Sequence, residues 1–228
     1  MFNATVCALT GDHQPELLLL DLDGTLIDSV PDLAKAVDSM LGILGMSLAG
    51  PERVARWVGD GADMLVRRAL ADGDEDAAKT MMQAQVTNAR QYFDSAYMRC
   101  LHQATGAFPG VQEFLQATGK KVLITNKPRQ FTEPLITSLG WDSHFEFLLC
   151  GDDLSERKPS PVPVLHACKE LGISVENTLM VGDSRADIQA AKSAGVASVA
   201  VTYGYNHGED IRGSAPDLVI DSLNQLLG

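Results

Sequence analysis

A series of short apolar runs, each followed by a polar residue or a glycine, limits what this chain can fold into. A run that is this short and ends in this way is typical of a strand buried on both faces, as in parallel sheets. Helical patterns alternate with the later runs, with their apolar side chains on one face. The runs occupy residues 16–22, 121–125, 145–150, 178–181 and 197–201, with a weaker one at 217–220, and the helical patterns occupy 128–139, 162–171 and 185–194.

The alternation of strands and helices from about residue 109 onward predicts an α/β fold. Strands that are joined by helices pair in parallel, and their crossover connections are right-handed. We therefore expect a Rossmann-like parallel sheet with helices on both of its faces.

Residues 29–100 interrupt this alternation. Apolar residues recur at helical spacing, for example at Leu33, Val37 and Met40 and again around Phe93, and no strand-like run lies between them. This stretch therefore predicts a group of helices inserted after the first strand.

The predicted organisation is two modules in one chain. An α/β catalytic core would consist of residues 1–28 and 101–228, and an all-helical cap would consist of residues 29–100. Within the core, we expect residues 1–15 to be a loose extension, because no element pattern covers them.

The charge balance argues against a nucleic-acid or membrane partner. The chain has 18 lysines and arginines against 30 aspartates and glutamates, which gives a net charge of −12. A chain this acidic does not neutralise nucleic-acid phosphates in bulk, and an anionic bilayer surface repels it.

The first residues and the cysteines predict a cytoplasmic protein. The first 16 residues lack the basic region and the long apolar stretch of a secretory signal, and the following leucine run is too short to span a bilayer. The four cysteines stand far apart in the sequence with no C-x-x-C pair, so we expect reduced thiols.

Acidic residues follow two of the predicted strands. Asp21 and Asp23 close the first strand, and Asp183 follows the fourth, with Asp187 one helical turn further on. A lone aspartate after a strand is usually a turn former or a helix cap. The carboxyl ends of parallel strands share one crevice, however, and several carboxylates there repel one another unless a multivalent cation is present. Ligands that are all oxygens indicate Mg²⁺ rather than zinc.

Two further polar residues are predicted to reach the same crevice. Thr125 ends the second strand, and Lys158 lies in the loop after the third. Taken singly, each would be an ordinary strand-end hydroxyl or a solvated lysine. Their occurrence beside the acidic cluster favours a functional site.

The chain contains four short motifs at these strand ends. They are DLDGTLIDS at residues 21–29, TNK at 125–127, Lys158 in KPSP, and VGDSRAD at 181–187. In order and spacing they resemble the four motifs of the haloacid dehalogenase-like superfamily, and the resemblance covers almost all residues after the first 16. The helical insert, WVGDGADMLV at 57–66 and TYGYNHGEDI at 202–211 resemble the phosphoglycolate phosphatase subgroup.

The resemblance implies phosphoester hydrolysis through an aspartyl-phosphate intermediate. Asp21 would be the nucleophile, and Asp23 would protonate the leaving alkoxide and later activate the water that cleaves the intermediate. The phosphoryl group would be held by the Thr125 hydroxyl, the Asn126 backbone N–H, the Lys158 ammonium and backbone N–H groups after Asp21, including that of Gly24.

The resemblance also implies a Mg²⁺ cofactor. The ion would take a carboxylate oxygen of Asp21, the main-chain carbonyl of Asp23, and Asp183. Asp187 would bind it through water or orient the other ligands.

The implied substrate is a small phosphorylated metabolite, 2-phosphoglycolate, which would yield glycolate and phosphate. Because a desolvated carboxylate needs a partner, we expect the loop around Gly59 and Gly61, with one nearby cation, to hold the substrate carboxylate. The cap would close over it by hinging at residues 28–29 and 107–110. The candidate cations are Lys35, Arg53, Arg56, Arg67 and Arg68.

Other interpretations stay open at this point. A sugar phosphomutase or another small-metabolite phosphatase of the same superfamily would also carry Asp23, whereas a dehalogenase would not need it. A phospho-accepting receiver domain shares the aspartates, a threonine and a lysine, but its accepting aspartate follows a middle strand and it has no helical insert. A binding protein on this scaffold would be expected to lack a catalytic residue. The oligomeric state is either a monomer or a homodimer.

Overall fold

The computed structural model describes all 228 residues. It contains eight strands and ten α-helices in an order that alternates through the second half of the chain. The strands are β1 (Leu17–Leu20), β2 (Ile27–Asp28), β3 (Gly106–Ala107), β4 (Lys120–Ile124), β5 (Phe147–Leu149), β6 (Thr178–Gly182), β7 (Ala197–Val201) and β8 (Leu218–Ile220). The helices are α1 (Ala4–Leu9), α2 (Val30–Ile43), α3 (Pro51–Ala55), α4 (Ala62–Leu70), α5 (Glu75–Thr80), α6 (Gln83–Cys100), α7 (Val111–Leu115), α8 (Arg129–Ser138), α9 (Val162–Leu171) and α10 (Arg185–Ala194).

Six strands form one sheet in the order β5-β4-β1-β6-β7-β8, and every pairing in it is parallel. Along β1, Leu18 and Leu20 face one hydrophobic cluster and Leu17 and Leu19 face another, because successive side chains of a strand point to opposite faces. The expected Rossmann-like α/β fold with helices on both faces of a parallel sheet is confirmed.

The first strand is shorter than the apolar run that predicted it. The run covers residues 16–22, but β1 ends at Leu20, since the carbonyl of Leu22 accepts hydrogen bonds from the amides of Leu26 and Ile27 in a tight turn. This turn begins directly after Asp21 and places the next acidic residue above the end of the sheet.

The helices α2 to α6 occupy residues 30–100 with no strand among them. Their buried faces form a hydrophobic cluster of their own, to which α8 contributes Phe131. The chain enters this region through β2 and leaves it through β3, and these two short strands pair antiparallel at the expected hinge positions. The division into a core of residues 1–28 and 101–228 and a cap of residues 29–100 stays a prediction.

The expectation that residues 1–15 are a loose extension is wrong. Residues Ala4–Leu9 form a helix that is capped by the Asn3 side chain, which accepts a hydrogen bond from the amide of Val6. Val6 and Phe2 are buried in the main hydrophobic cluster, where the Phe2 ring meets Phe114 edge to face. The physical reason is that these two apolar side chains, four residues apart, cover the end of the core, a signal too short to stand out as a pattern.

The four cysteines are all unpaired, as the spacing in the sequence predicts. Among the helices, none combines the length and the apolar character that crossing a bilayer requires.

Candidate active site

The carboxyl ends of three adjacent strands bring the predicted residues together. Asp21 follows β1, Thr125 follows β4 and Asp183 follows β6, and all three side chains are buried. The amide of Asp21 donates to the carbonyl of Val181 at 3.0 Å, which continues the β1–β6 pairing by one residue and sets the position of the Asp21 side chain. Carboxylate oxygens of Asp21, Asp183 and Asp187 all lie within 4.8 Å of one another.

Lys158 holds this cluster together from a distant loop. Its Nζ donates to Oδ1 of Asp21 at 2.6 Å, to Oδ1 of Asp187 at 2.7 Å and to the carbonyl oxygen of Ile124 at 2.6 Å. These three bonds use all three ammonium hydrogens. Burial works against the charge, but Asp187 and Asp21 outweigh it and raise the pKa of Lys158 above its ordinary value.

The buried carboxylates of the cluster carry more negative charge than the single ammonium group of Lys158 balances. Burial raises the pKa of Asp21 to about 7, with a further contribution from Asp187, and the nearby Lys158 offsets this only in part. Burial, together with the charges of Asp21 and Asp187, also raises the pKa of Asp183 well above its usual range. A hard divalent cation with oxygen ligands would relieve this repulsion, so the donor set fits the metal that the sequence predicts.

Two glycines make room for Asp183. A Cβ atom at Gly204 would lie 2.2 Å from the Cβ of Asp183, and one at Gly24 would lie 2.3 Å from its Oδ2. The Asp183 carboxylate accepts bonds from the Tyr205 amide at 2.7 Å and from the Thr25 hydroxyl at 3.2 Å. The side chain is therefore enclosed and oriented toward Asp21.

Asp187 lies in the first turn of α10 and uses both of its oxygens within the chain. Oδ2 accepts from the amide of Ser184 at 3.0 Å and from its hydroxyl at 2.7 Å, while Oδ1 accepts from Lys158. Of the two roles expected for this residue, the arrangement favours the one that orients its neighbours.

Asp23 lies beside Asp21 at the wall of a shared cavity, as its position two residues further along predicts. The neighbouring Gly24 does not line this cavity, and its amide donates to the carbonyl of Ile27 at 2.9 Å. The turn after β1 already uses that N–H group, and a contact between Gly24 and the phosphoryl group stays a prediction. A φ angle of +92° shows why glycine is required in this turn.

Thr125 and Asn126 line the same cavity from the end of β4. The Asn126 side chain donates at 3.0 Å to the carbonyl of Gly59 and at 3.0 Å to the carbonyl of Lys158. The Thr125 hydroxyl accepts from the amide of Lys127 at 3.1 Å. Asn126 therefore links the loop between α3 and α4 to the loop that carries the site lysine.

Gly59 and Gly61 both line the cavity, as expected. None of the five candidate cations lines it with them, and the expectation that one cap cation assists this loop stays a prediction. Four of the five already have acidic partners: Lys35 pairs with Asp32, Arg53 with Asp72, Arg67 with Asp63, and Arg68 with Asp60 and Glu75, while Arg56 lines a separate groove.

Sequence reasoning assigned no role to Lys127, which is buried in the cavity wall. Its Nζ donates to the Asp23 carboxylate at 2.9 and 3.2 Å and lies 4.8 Å from the centre of the Tyr97 ring. Burial opposes the charge, but Asp23 raises the pKa of Lys127 above its ordinary value. Its place in the TNK motif was the available signal, whereas Tyr97 looked like one more apolar position of a helix.

Tyr205 is a second residue that sequence reasoning missed. Its hydroxyl donates to Asp28 at 2.7 Å and accepts from the amide of Ser29 at 2.9 Å, while its own amide binds Asp183. Tyr205 therefore connects a carboxylate of the candidate metal site to the chain segment where α2 begins.

The cavity is partly open and has a volume of about 40 Å³, enough for a few water molecules. Charged and polar residues of the core line one part of it, and apolar side chains line another part. The arrangement suits a small anionic ligand with a short carbon chain. The apolar lining residues include Leu33, Val58, Leu65, Phe93 and Phe131.

Comparisons with known proteins agree with this geometry. A sequence model of the haloacid dehalogenase-like hydrolase family matches residues 18–201. A phosphoglycolate phosphatase of Nitrosococcus oceani is 44% identical over 93% of this chain and 95% of its own length. One from Pseudomonas putida is 47% identical over 93% of this chain and 79% of its own length.

Solved structures share the fold. A crystal structure described as a predicted phosphoglycolate phosphatase from Haemophilus somnus has a TM-score of 0.86 and 36% identity, covering 92% of this chain and 96% of that one. A predicted phosphatase from Clostridium acetobutylicum, 19% identical with a TM-score of 0.77, covers 94% of this chain and 97% of its own and shares the fold alone.

Proposed function

Because the chain belongs to the haloacid dehalogenase-like hydrolase family, we propose that it hydrolyses 2-phosphoglycolate to glycolate and phosphate with the help of Mg²⁺. It is a phosphoric monoester hydrolase, as its relatives are. One observation carries the proposal: Asp21, Lys158 and Asp23 line one small cavity, so a nucleophile, a cation and an acid meet the same phosphate ester.

Asp21 is the proposed nucleophile. Its carboxylate attacks phosphorus and forms an acyl phosphate, while the ester oxygen leaves as the alkoxide of glycolate. Lys158 donates to Oδ1 of Asp21 at 2.6 Å and the Thr25 hydroxyl donates to Oδ2 at 3.3 Å, and these two bonds orient the carboxylate for attack. The Lys158 charge also offsets the repulsion between this carboxylate and the incoming phosphate.

Asp23 is the proposed acid and base. Protonated, it donates to the leaving oxygen, and in the second step it takes a proton from the water that attacks the acyl phosphate. The Lys127 bond holds its carboxylate at the cavity wall. Thr125 and the backbone of Asn126 are placed to hold the phosphoryl oxygens.

Asp21, Asp183 and the main-chain carbonyl of Asp23 would hold Mg²⁺, with Asp187 orienting the set. When bound, the ion supplies charge neutralisation for the phosphoryl oxygens and the attacking carboxylate. The support for this assignment is the raised pKa of the buried Asp21 and Asp183 carboxylates, which a divalent cation would compensate.

A phosphate-release screen over small phosphorylated metabolites tests the proposed function. With Mg²⁺ present, 2-phosphoglycolate is expected to have the highest kcat/KM, ahead of sugar phosphates and aryl phosphates. A sugar phosphate that is isomerised without phosphate release would instead identify a phosphomutase. A higher kcat/KM for another metabolite would identify a different phosphatase of the same family.

The remaining expectations stay predictions. They are a cytoplasmic location, a monomer or homodimer, and no nucleic-acid partner. The net charge of −12 supports the last of these.

A further inference from the structure

We propose that Lys127 and Tyr97 form the subsite that binds the carboxylate of the substrate. The inference rests on the proposed function, because it supplies the partner that the second anionic group of 2-phosphoglycolate requires. It takes the place of the five candidate cap cations, four of which pair with acidic side chains and none of which lines the cavity.

Of the cationic side chains that line the cavity, one can still donate a hydrogen bond to a ligand. Lys158 and Lys127 are the only cationic side chains there. Lys158 donates its three ammonium hydrogens to the carboxylates of Asp21 and Asp187 and to the carbonyl of Ile124. Lys127 donates to the two oxygens of Asp23 and otherwise lies against Tyr97, 4.8 Å from the ring centre, so one of its three hydrogens remains for a ligand on the Tyr97 side.

Tyr97 supplies a neutral donor beside that cation. Tyr97 lines the cavity, and its buried hydroxyl donates no hydrogen bond within the chain. A buried hydroxyl without a partner costs about 1–3 kcal/mol, so its presence needs an explanation. Burial raises the pKa of Tyr97 to about 12, which keeps the hydroxyl protonated at neutral pH and able to donate to an anion.

The size of the substrate places its carboxylate at this pair. In 2-phosphoglycolate one methylene separates the ester oxygen from the carboxylate carbon, a distance of about 2.4 Å. The ester oxygen must lie within hydrogen-bond reach of Asp23, and Lys127 is 2.9 Å from the same aspartate. A carboxylate bound to Lys127 and Tyr97 therefore lies within the span of the molecule.

The surroundings strengthen such a contact. Phe93 stacks on the Tyr97 ring with centroids 5.6 Å apart, and Phe131 meets it edge to face at 4.9 Å. These rings hold the hydroxyl in place and exclude water, and a charge-assisted hydrogen bond is stronger where water is absent.

A simpler interpretation makes a different prediction. If Lys127 only neutralises Asp23 and Tyr97 only packs in the core, the tyrosine hydroxyl has no function. Its removal would then leave the melting temperature unchanged or raised and would affect all substrates equally.

The test compares Tyr97→Phe with wild type on 2-phosphoglycolate and on ethyl phosphate, which carries a methyl group in place of the carboxylate. Tyr92→Phe, on the same helix but outside the cavity, is the matched control. We expect Tyr97→Phe to lower kcat/KM for 2-phosphoglycolate about tenfold or more, through a raised KM, because a hydrogen bond to a charged group is worth about 1.5–3 kcal/mol. Ethyl phosphate hydrolysis should fall by much less than 2-phosphoglycolate hydrolysis, and Tyr92→Phe should match wild type on both esters and in melting temperature.

Lys127→Met provides a second measurement. It should impair both esters, because Asp23 loses its partner, and should impair 2-phosphoglycolate by a further tenfold or so through the loss of a charged contact. Equal losses on the two esters in both variants would overturn the subsite while leaving the proposed function intact. A wild-type enzyme that does not prefer 2-phosphoglycolate to ethyl phosphate would overturn both.

Discussion

The side-chain amide of Asn126 donates to the carbonyl of Gly59 at 3.0 Å, although 67 residues separate them. Asn126 follows a strand of the sheet, and Gly59 belongs to the loop between two inserted helices. The same amide group bonds to the carbonyl of Lys158 at 3.0 Å. This contact closes the cavity above the predicted nucleophile, and it depends on a close approach of the two backbones.

Gly61→Ala should open the cavity, because a Cβ atom there would lie 2.9 Å from the carbonyl oxygen of Asn126. We expect kcat/KM for 2-phosphoglycolate to fall at least tenfold, with faster proteolysis of the loop between α3 and α4. Gly45→Ala is the matched control, since Gly45 also has a positive φ but has no atom within 4 Å of an added Cβ. It should cost about 1 kcal/mol of stability and leave activity unchanged. Similar kinetics for the two variants would contradict the closing role of the loop.

Asp21→Asn should lower the rate of phosphate release more than about a thousandfold, because an amide cannot form the acyl phosphate. The fold should remain, since asparagine has nearly the same shape and carries no buried charge. Asp23→Asn is the informative comparison: it should still form a phosphorylated protein from an aryl phosphate, whose leaving group needs no proton. Detection of a stable acyl phosphate on Asp21→Asn would contradict the assignment.

Mg²⁺ should stabilise the protein more at about pH 8 than at about pH 5.5. The pKa of Asp21 rises from an ordinary 3.8 to about 7, so without metal the folded state binds a proton that the unfolded state has released. Stability of the metal-free protein therefore falls as the pH rises from about 4 to about 7. The metal competes with that proton, so the gain in melting temperature grows with pH.

Excess EDTA should remove activity, and added Mg²⁺ should restore it. Asp183→Asn should need more Mg²⁺ for half-maximal activity, because a ligand is lost. An equal melting-temperature gain at both pH values, or full activity in EDTA, would contradict the metal assignment.

Lys158→Met should be inactive and less stable than wild type, because it leaves the buried carboxylate of Asp21 without its ion-pair partner. Lys158→Arg keeps the charge, but a planar guanidinium fork cannot direct three bonds to the same three oxygens, so we expect a smaller but still large loss of kcat. Steady-state kinetics and thermal unfolding check both effects. Near-normal kcat in Lys158→Met would show that the lysine is not part of the site.

Phe2→Ala should destabilise the protein by about 3 kcal/mol, because the ring is buried against Phe114 and its removal leaves a cavity. Urea unfolding measures the change, and Thr5→Ala, at an exposed position of the helix α1 that follows Phe2, is the control. Equal unfolding midpoints for Phe2→Ala and wild type would mean that the first residues do not support the core.

Local patterns were enough to predict the sheet and the positions of the charged residues around it. A buried parallel strand must be apolar along its length, so β1, β4, β6 and β7 are visible as runs in the sequence. Because parallel strands all end at one edge, the residues that follow them must converge there, and Asp21, Thr125 and Asp183 do so.

The fold class and the residues at the strand ends could be predicted because both follow from the order of residues along the chain. Which charges are paired and which are free depends instead on how distant segments pack. Most cap arginines pair with acidic residues of the cap, and the amide of Gly24 donates to a turn. Phe2, near the start of the chain, packs in a core cluster whose other members come from distant parts of the sequence. Lys127 and Tyr97 met beside Asp23 only after two distant segments packed together. Such pairings depend on distances of a few ångströms between residues far apart in sequence, and no periodicity or motif records them.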